Sequence, residues 1–120
     1  MCHVRAVPEE EVVADSVVRV KQVFDMLMIE AGEIIEKKNR AYACTVDPLR
    51  NFMLAERAGI CKAEVGLLIR VQDKLARLMN YVEQGHECLG EEGYRDSLLD
   101  IINYMVLMHA LIIYKSNGGD

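Results

Sequence analysis

The chain has 120 residues, of which 52% are hydrophobic and 28% charged, and its formal net charge is −5. This length accommodates one domain with a core, and the composition excludes a disordered or fibrous chain. An acidic surface disfavours the binding of duplex nucleic acid through a broad basic face. With two prolines, eight glycines and no tryptophan, the composition favours helices over a sheet.

The first predicted helix runs from about Pro8 to Arg40. Pro8 and the three glutamates behind it are typical of a helix start, because acids suit the positive end of the helix dipole. Apolar residues then recur at spacings of three and four, giving one stripe: Val17, Val20, Phe24, Leu27, Ala31 and Ile34. No apolar run follows a basic start, so we expect no signal peptide.

A connector from Ala41 to Arg50 separates this helix from a short one, predicted at about Asn51 to Ala58. Gly59 is predicted to cap the short helix in the left-handed conformation. The next predicted helix spans about Lys62 to Gln84, with Gly85 as its cap. Six apolar residues are expected to face inward from it: Val65, Leu68, Leu75, Leu78, Met79 and Val82.

The last predicted helix runs from about Tyr94 to Lys115. Its apolar stretch is short for a membrane span and contains Asp100, Asn103 and His109, so we expect a buried helix. Taken together, the pattern predicts an all-α antiparallel bundle of three long helices and a short one. We expect one domain over residues 1–120, frayed at 1–8 and 116–120. Because the last helix is apolar almost all round, we also expect a homodimer or higher oligomer formed through it.

Four cysteines are scattered along the chain without a CxxC pair: Cys2, Cys44, Cys61 and Cys88. In a cytoplasmic helical protein, this pattern is typical of reduced thiols. A zinc site formed by Cys2, His3, His86 and Cys88 has ligand spacing that matches no standard site.

Three groups of charged residues lie on the predicted helices. The first contains Glu30, Glu33 and Glu36, followed by Lys37 and Lys38. Spacing of three places Glu33 and Glu36 on neighbouring positions of one helix face. A solvated outer face with Glu–Lys pairs accounts for this group, and an acidic wall for a metal ion is the alternative.

The second group has offsets of zero, three, four and seven, so its members share one stripe: Arg70, Asp73, Lys74 and Arg77. An intrahelical ion network explains it, with each pair contributing only a few tenths of a kcal/mol. The alternative is a row of cations for phosphates, in which Asp73 orients a cation or binds metal.

The third group opens the last helix, where Asp96, Asp100 and either Asn103 or Tyr104 line one face. Asp96 suits the helix dipole, whereas Asp100 lies one turn deeper, where the dipole explains less. Asp100 therefore either pairs with Arg70, Lys74 or Arg77, or helps to hold Mg²⁺ with carboxylates from a facing helix.

The order of these motifs resembles the nucleotide modification associated domain 1 family, which is common in phage genomes. The resemblance rests on KKNRAY, DPLRNF, AGI, VGLLIRVQDKLARL and DSLLDIINY, and covers roughly Glu30 to Leu111. That family is similar to the MazG-type all-α nucleotide pyrophosphatases and to dimeric dUTPases, helical bundles that bind Mg²⁺ and cleave nucleoside triphosphates between the α- and β-phosphates.

This resemblance implies a cytoplasmic, Mg²⁺-dependent pyrophosphohydrolase with one or two metal ions, in a bacterial host if the chain is phage-encoded. It implies catalytic roles for Glu33, Glu36 and Asp100, and metal ligands from among Glu33, Glu36, Asp73, Asp96 and Asp100. Substrate-binding roles are implied for Lys38, Asn51, Arg70, Lys74, Arg77 and Tyr104.

Two positions depart from the family pattern. Ala41 stands where relatives often have an acid, and Asp96 with Ser97 gives DxxxD in place of a clean ExxD. A nucleotide-binding or sequestering protein without turnover, and a structural helical oligomer, are the alternative functions. No membrane partner is expected in any of the three.

Overall fold

The structure, a computed structural model, describes residues 9–41, 49–85 and 93–118, with side chains described from residue 16 to 37 in the first range. These residues form four helices: α1 (Glu9–Ala41), α2 (Arg50–Arg57), α3 (Ala63–Gln84) and α4 (Gly93–Ser116). No strand occurs in the described ranges. The all-α prediction is confirmed, and each helix ends within one residue of its predicted bounds.

The helix ends follow from local chemistry. Gly59 has φ of 78° and Gly85 has φ of 83°, a region in which a Cβ is unfavourable, so glycine ends α2 and α3 as predicted. The α3 N-terminus is capped from a distance, since the Ala63 backbone N–H donates to Glu56 Oε1 at 2.8 Å. The Glu56 side chain of α2 thus accepts a hydrogen bond from one of the free N–H groups at the start of α3.

The α3 and α4 helices form an antiparallel pair. Tyr81 near the end of α3 stacks on Tyr94 at the start of α4, with ring centroids 4.9 Å apart. At the opposite end, Lys115 of α4 contacts Glu64 in the first turn of α3, with Nζ and Oε1 2.9 Å apart. Only eight residues of sequence separate the two helices, a spacing that favours an antiparallel arrangement.

The apolar core lies at one end of this pair, where α2 covers it. Its fully packed residues come from α2, α3, α4 and the turn before α2: Leu49, Met53, Ala63, Leu67 and Leu111. Gly66 lets α2 approach α3 closely, since a Cβ there would lie 3.3 Å from Phe52 Cδ1. We call this region the apolar end of the α3–α4 pair.

The buried face of α3 differs from the predicted one. Ala63, Leu67 and Val71 are buried, whereas the expected inward residues are exposed apart from half-buried Leu78. The prediction was wrong because α3 carries two adjacent apolar faces, and periodicity alone does not say which one meets α4. The outcome leaves a second apolar face of α3 without cover in the described structure.

The α4 helix is less buried than the sequence suggested. Leu99 and Leu111 are buried, but Met105, Val106 and Ile112 are each more than two-fifths exposed. The prediction of a buried helix is therefore correct for one face only. Among the described residues, α4 is long and apolar enough to cross a membrane. Core helices of soluble proteins meet the same two criteria.

Candidate functional site

The end of the α3–α4 pair away from the core carries charged contacts between helices. Lys74 of α3 reaches Asp100 of α4, with Nζ and Oδ2 3.0 Å apart, and both side chains are about a quarter exposed. The sequence left Asp100 three possible cationic partners, and the structure selects Lys74. This pairing offsets the cost of bringing a carboxylate close to the packed helices.

A second ion pair joins α1 to the start of α4. The Arg95 guanidinium donates to both carboxylate oxygens of Glu30, through Nε and through a terminal nitrogen. Two parallel N–H···O bonds fix the relative position of the groups better than a single contact. We call the region that contains the Lys74–Asp100 and Arg95–Glu30 pairs the charged end.

The charged end brings α1, α3 and α4 together. Arg95 precedes Asp96, and Asp96 lies one turn before Asp100 on the same helix face. Ala31, next to Glu30, is buried, so this part of α1 packs against the rest of the chain. Acids from α1 and α4 and a lysine from α3 therefore lie in this region, and the side chains of the two ion pairs are 24–39% exposed.

The remaining predicted site residues are mostly solvent-facing. Six charged side chains on α1, α3 and α4 and one amide on α2 are exposed: Glu33, Glu36, Arg70, Asp73, Arg77, Asp96 and Asn51. Tyr104 is half-buried and packs against the apolar core, away from solvent-facing positions. The side chain of Lys38 lies outside the described residues, as do Tyr42, Asp47 and Pro48 of the family motifs.

An open groove on α1 adjoins the Arg95–Glu30 pair, and its lining is Glu30, Glu33, Ile34 and Lys37. Lys37 follows the acids by one turn, which fits the simple interpretation of a solvated face with Glu–Lys neighbours. Glu33 is the member of the predicted first acidic motif that shares this groove with Glu30, whereas Glu36 does not line it.

Within the described residues, no three His, Cys, Asp or Glu side chains come close enough to hold a metal ion by themselves. The zinc combination of Cys2, His3, His86 and Cys88 lies entirely outside the described residues. Cys61, which is half-buried and lies two residues before α3, is a free thiol, as expected for one of the four cysteines.

A third charged cluster, at the apolar end, was not singled out from the sequence. Lys115 Nζ lies 2.6 Å from Glu56 Oε1 and 2.9 Å from Glu64 Oε1, which ties α2, α3 and α4 together. Lys115 donates a hydrogen bond to each of the two carboxylates. These bonds lower the pKa of Glu56 and of Glu64, and they raise the pKa of Lys115.

Sequence spacing could not reveal this cluster, because its members are 8, 51 and 59 positions apart. Its contacts explain a structural role: Glu56 caps α3 and Lys115 holds the two acids. It is therefore a fixed joint between helices, distinct from the charged end.

Compared with protein-family models, with curated proteins and with solved structures, the chain matches none of them. The family resemblance accordingly stands on the order of the motifs in the sequence, and the site stands on its own geometry.

Proposed function

We propose that the protein is a Mg²⁺-dependent nucleoside triphosphate pyrophosphohydrolase, with its site at the charged end. The observation that supports this proposal is that two ion pairs, Lys74–Asp100 and Arg95–Glu30, place acids and cations from three helices along the first turns of α4. Carboxylates for a hard cation and cations for phosphates are the two chemistries that hydrolysis of a triphosphate requires.

The donor set agrees with Mg²⁺ held partly by substrate. Mg²⁺ is usually bound through one or two carboxylates together with water and substrate phosphates, not by an all-protein cage. Asp96 and Asp100, one turn apart on α4, supply such a pair. The metal ion supplies charge neutralisation of the phosphates and a water of lowered pKa.

The ion pairs themselves suggest what the side chains do when substrate binds. Asp100 would hold the metal ion through the carboxylate that contacts Lys74, and the Lys74 ammonium would then be available to a phosphate. Arg70 and Arg77, which lie one turn to either side of Lys74 and are exposed, extend the row of cations. The protein's role is thus to hold the triphosphate and to orient the carboxylates.

The decisive experiment measures pyrophosphate release from a panel of common and modified (deoxy)nucleoside triphosphates with Mg²⁺. We expect Asp100→Asn to lower the rate by at least about 100-fold. Loss of a residue that only hydrogen-bonds to a metal ligand lowers activity by up to about 100-fold, and loss of a ligand itself should cost at least as much. Asp25→Asn is the matched control, because Asp25 is an exposed acid on α1 that pairs only with Lys21 in the described structure. Absence of turnover with every triphosphate contradicts the proposal.

A non-catalytic nucleotide-binding protein is the second candidate. It is favoured by the lack of a three-ligand metal cluster among the described residues, together with the cation row on α3. Calorimetry with the same nucleotides distinguishes the two: saturable binding without product supports the binding protein, and absence of binding eliminates it.

A structural helical oligomer is the third candidate, and the Lys74–Asp100 contact favours it. In that case Asp100→Asn destabilises the fold, because Lys74 loses its partner. In a metal site the same change leaves the melting temperature without Mg²⁺ equal or higher, since it relieves repulsion between Asp96 and Asp100. Thermal melts with and without Mg²⁺ separate these outcomes.

A further inference from the structure

The second apolar face of α3 is exposed along its whole length. Its members, which we call the α3 seam, are between 43% and 81% exposed: Val65, Leu68, Leu75, Met79 and Val82. Large apolar side chains scattered singly on a surface are ordinary, but a continuous row over five turns is typical of an interaction site.

The spacing of the α3 seam is that of a coiled coil. Together with the exposed Gln72, its members follow one another at intervals of three, four, three, four and three residues. These are the a and d positions of successive heptads, which pack as knobs into holes on a facing helix. A single polar residue such as Gln72 among them fixes the register and the number of helices in many coiled coils.

The part of α1 from Ser16 to Met26 is also solvent-exposed in the described structure. From Ser16 to Met26 every side chain is exposed, including Val17, Val20 and Phe24 of the predicted stripe. The second half of the same stripe is used, since Ala31 is buried and Leu27 is half-buried. A helix segment that packs against nothing is marginal in water, so this segment needs a partner.

The accessible surface of the chain is larger than that of a compact monomer of the same mass. Its accessible surface is 9190 Å², whereas a compact monomer of 13.6 kDa exposes about 6,600 Å². Its radius of gyration is 18.3 Å, against about 13.6 Å for a compact chain of this length. An obligate dimer buries roughly 2,000–5,000 Å² in total, so the excess on each chain is sufficient for such an interface.

We propose that the α3 seam is the dimer interface of this protein, packed against the α3 seam of a second copy. A two-fold symmetric contact places the same patch on both sides. In such a contact the apolar residues of one seam pack against those of the other. The seam residues and Gln72 are uncharged, so no like charges on the seam itself face each other in such a contact.

The α3 seam is a better interface than the outer face of α4, through which the sequence analysis expected dimerisation. The exposed large apolar residues of α4 are 41–53% exposed and those of the seam 43–81%, so the two faces differ chiefly at Met79 and Val82. The Val17–Phe24 segment of α1 supplies additional surface that a second copy can cover. This assignment is independent of the nucleotide site.

The test compares two neighbouring residues on one helix. Met79 belongs to the seam and Asn80 lies outside it, and both are exposed in the described structure. In sedimentation velocity and light scattering on the full chain, we expect wild type at twice 13.6 kDa. Met79→Glu is expected to weaken the dimer by at least about tenfold, since it buries an unpaired charge. Asn80→Glu leaves the mass unchanged.

A variant expected to strengthen the dimer shows whether the loss of dimer in Met79→Glu comes only from a damaged fold. Gln72→Leu completes the apolar row and is expected to strengthen the dimer, which a merely damaged fold does not do. Circular dichroism checks that Met79→Glu remains helical; if it does not, Gln72→Leu decides. A monomeric wild type at high micromolar concentration overturns the proposal, as does equal dimer affinity in wild type, Met79→Glu and Gln72→Leu.

Discussion

The two ends of the α3–α4 pair are held by different forces. At the apolar end, fully buried Leu67 and Leu111 pack beneath α2, and Lys115 ties three helices together. At the charged end, the inter-helix contacts include two ion pairs whose side chains are 24–39% exposed. Burial of apolar area stabilises far more than partly exposed ion pairs do.

This difference assigns separate roles to the two ends. The apolar end carries the stability of the fold, whereas the charged end contributes little stability and keeps its ionic groups within reach of solvent. Binding sites are drawn from regions of low local stability, because their groups must exchange partners when a ligand arrives. The contrast can be tested by substitutions at each end, from the largest expected effect to the smallest.

The largest effect is expected from Leu67→Ala. Leu67 has no exposed surface and lies in the middle of the apolar core, so the change removes buried methyl groups and leaves a cavity. We expect the free energy of unfolding to fall by about 2–5 kcal/mol, measured by urea denaturation. Ile60→Ala is the control, because Ile60 is 76% exposed. Similar losses for both substitutions are incompatible with a core at this end.

A gain in stability is expected from Ser97→Ala on α4. Ser97 is 1% exposed, and its hydroxyl has no hydrogen-bond partner in the described structure. A buried polar group without a partner costs about 1–3 kcal/mol, so replacing it with a methyl group should raise the free energy of unfolding by about 1 kcal/mol. Ser16→Ala, on an exposed helical position, measures the part of this gain that comes from helix propensity. A loss in Ser97→Ala means that the hydroxyl has a partner.

A pH-dependent effect is expected from Lys115→Met. The pKa values of Glu56 and Glu64 are lowered from 4.5, so their contribution is present above pH 4.5 and is lost as the pH falls through the lowered values. The pKa of Lys115 is raised from 10.5, so its contribution is present below pH 10.5 and is lost as the pH rises through the raised value.

The melting temperature of Lys115→Met should therefore fall below that of wild type most at neutral pH, and the difference should shrink at both extremes. Differential scanning calorimetry across the pH range measures it. Lys21→Met removes an exposed pair with Asp25 and should show little difference at any pH. A deficit in Lys115→Met that is constant with pH indicates lost packing and not the ionic cluster.

The sequence predicted the helices well because their signals are local. Gly59 ends α2 and Gly85 ends α3, and the apolar periodicity between these glycines predicts α3 itself. The partners of α3 depend on non-local packing, which is why the Val65–Val82 row was assigned to the core although Leu67 and Val71 occupy it. The heptad spacing of that row indicates that it packs against another helix, but the spacing does not identify that helix.

The candidate site was predictable in part for the same reason. The stripes on α3 and α4 indicated that an acid and a cation lie on facing helices, and the structure pairs Asp100 with Lys74. Arg95 was not singled out, since its partner Glu30 is 65 positions away and no local pattern links them. Distant pairs such as this one, and the Glu56–Lys115 contact, require the tertiary arrangement.

The smallest effect concerns the Lys74–Asp100 pair, measured by a double-mutant cycle with Lys74→Met and Asp100→Asn. Because both side chains are about a quarter exposed, solvent screens the pair, and we expect a coupling of at most about 1 kcal/mol without Mg²⁺. If Asp100 also binds a cation, the coupling should decrease when Mg²⁺ is added, since the carboxylate is shared with the metal ion. Lys21 and Asp25 provide the reference cycle, whose coupling should not depend on Mg²⁺ beyond ionic strength. An equal response to Mg²⁺ in both cycles means that Asp100 serves only as the partner of Lys74, and the charged end then has a structural role like that of the apolar end.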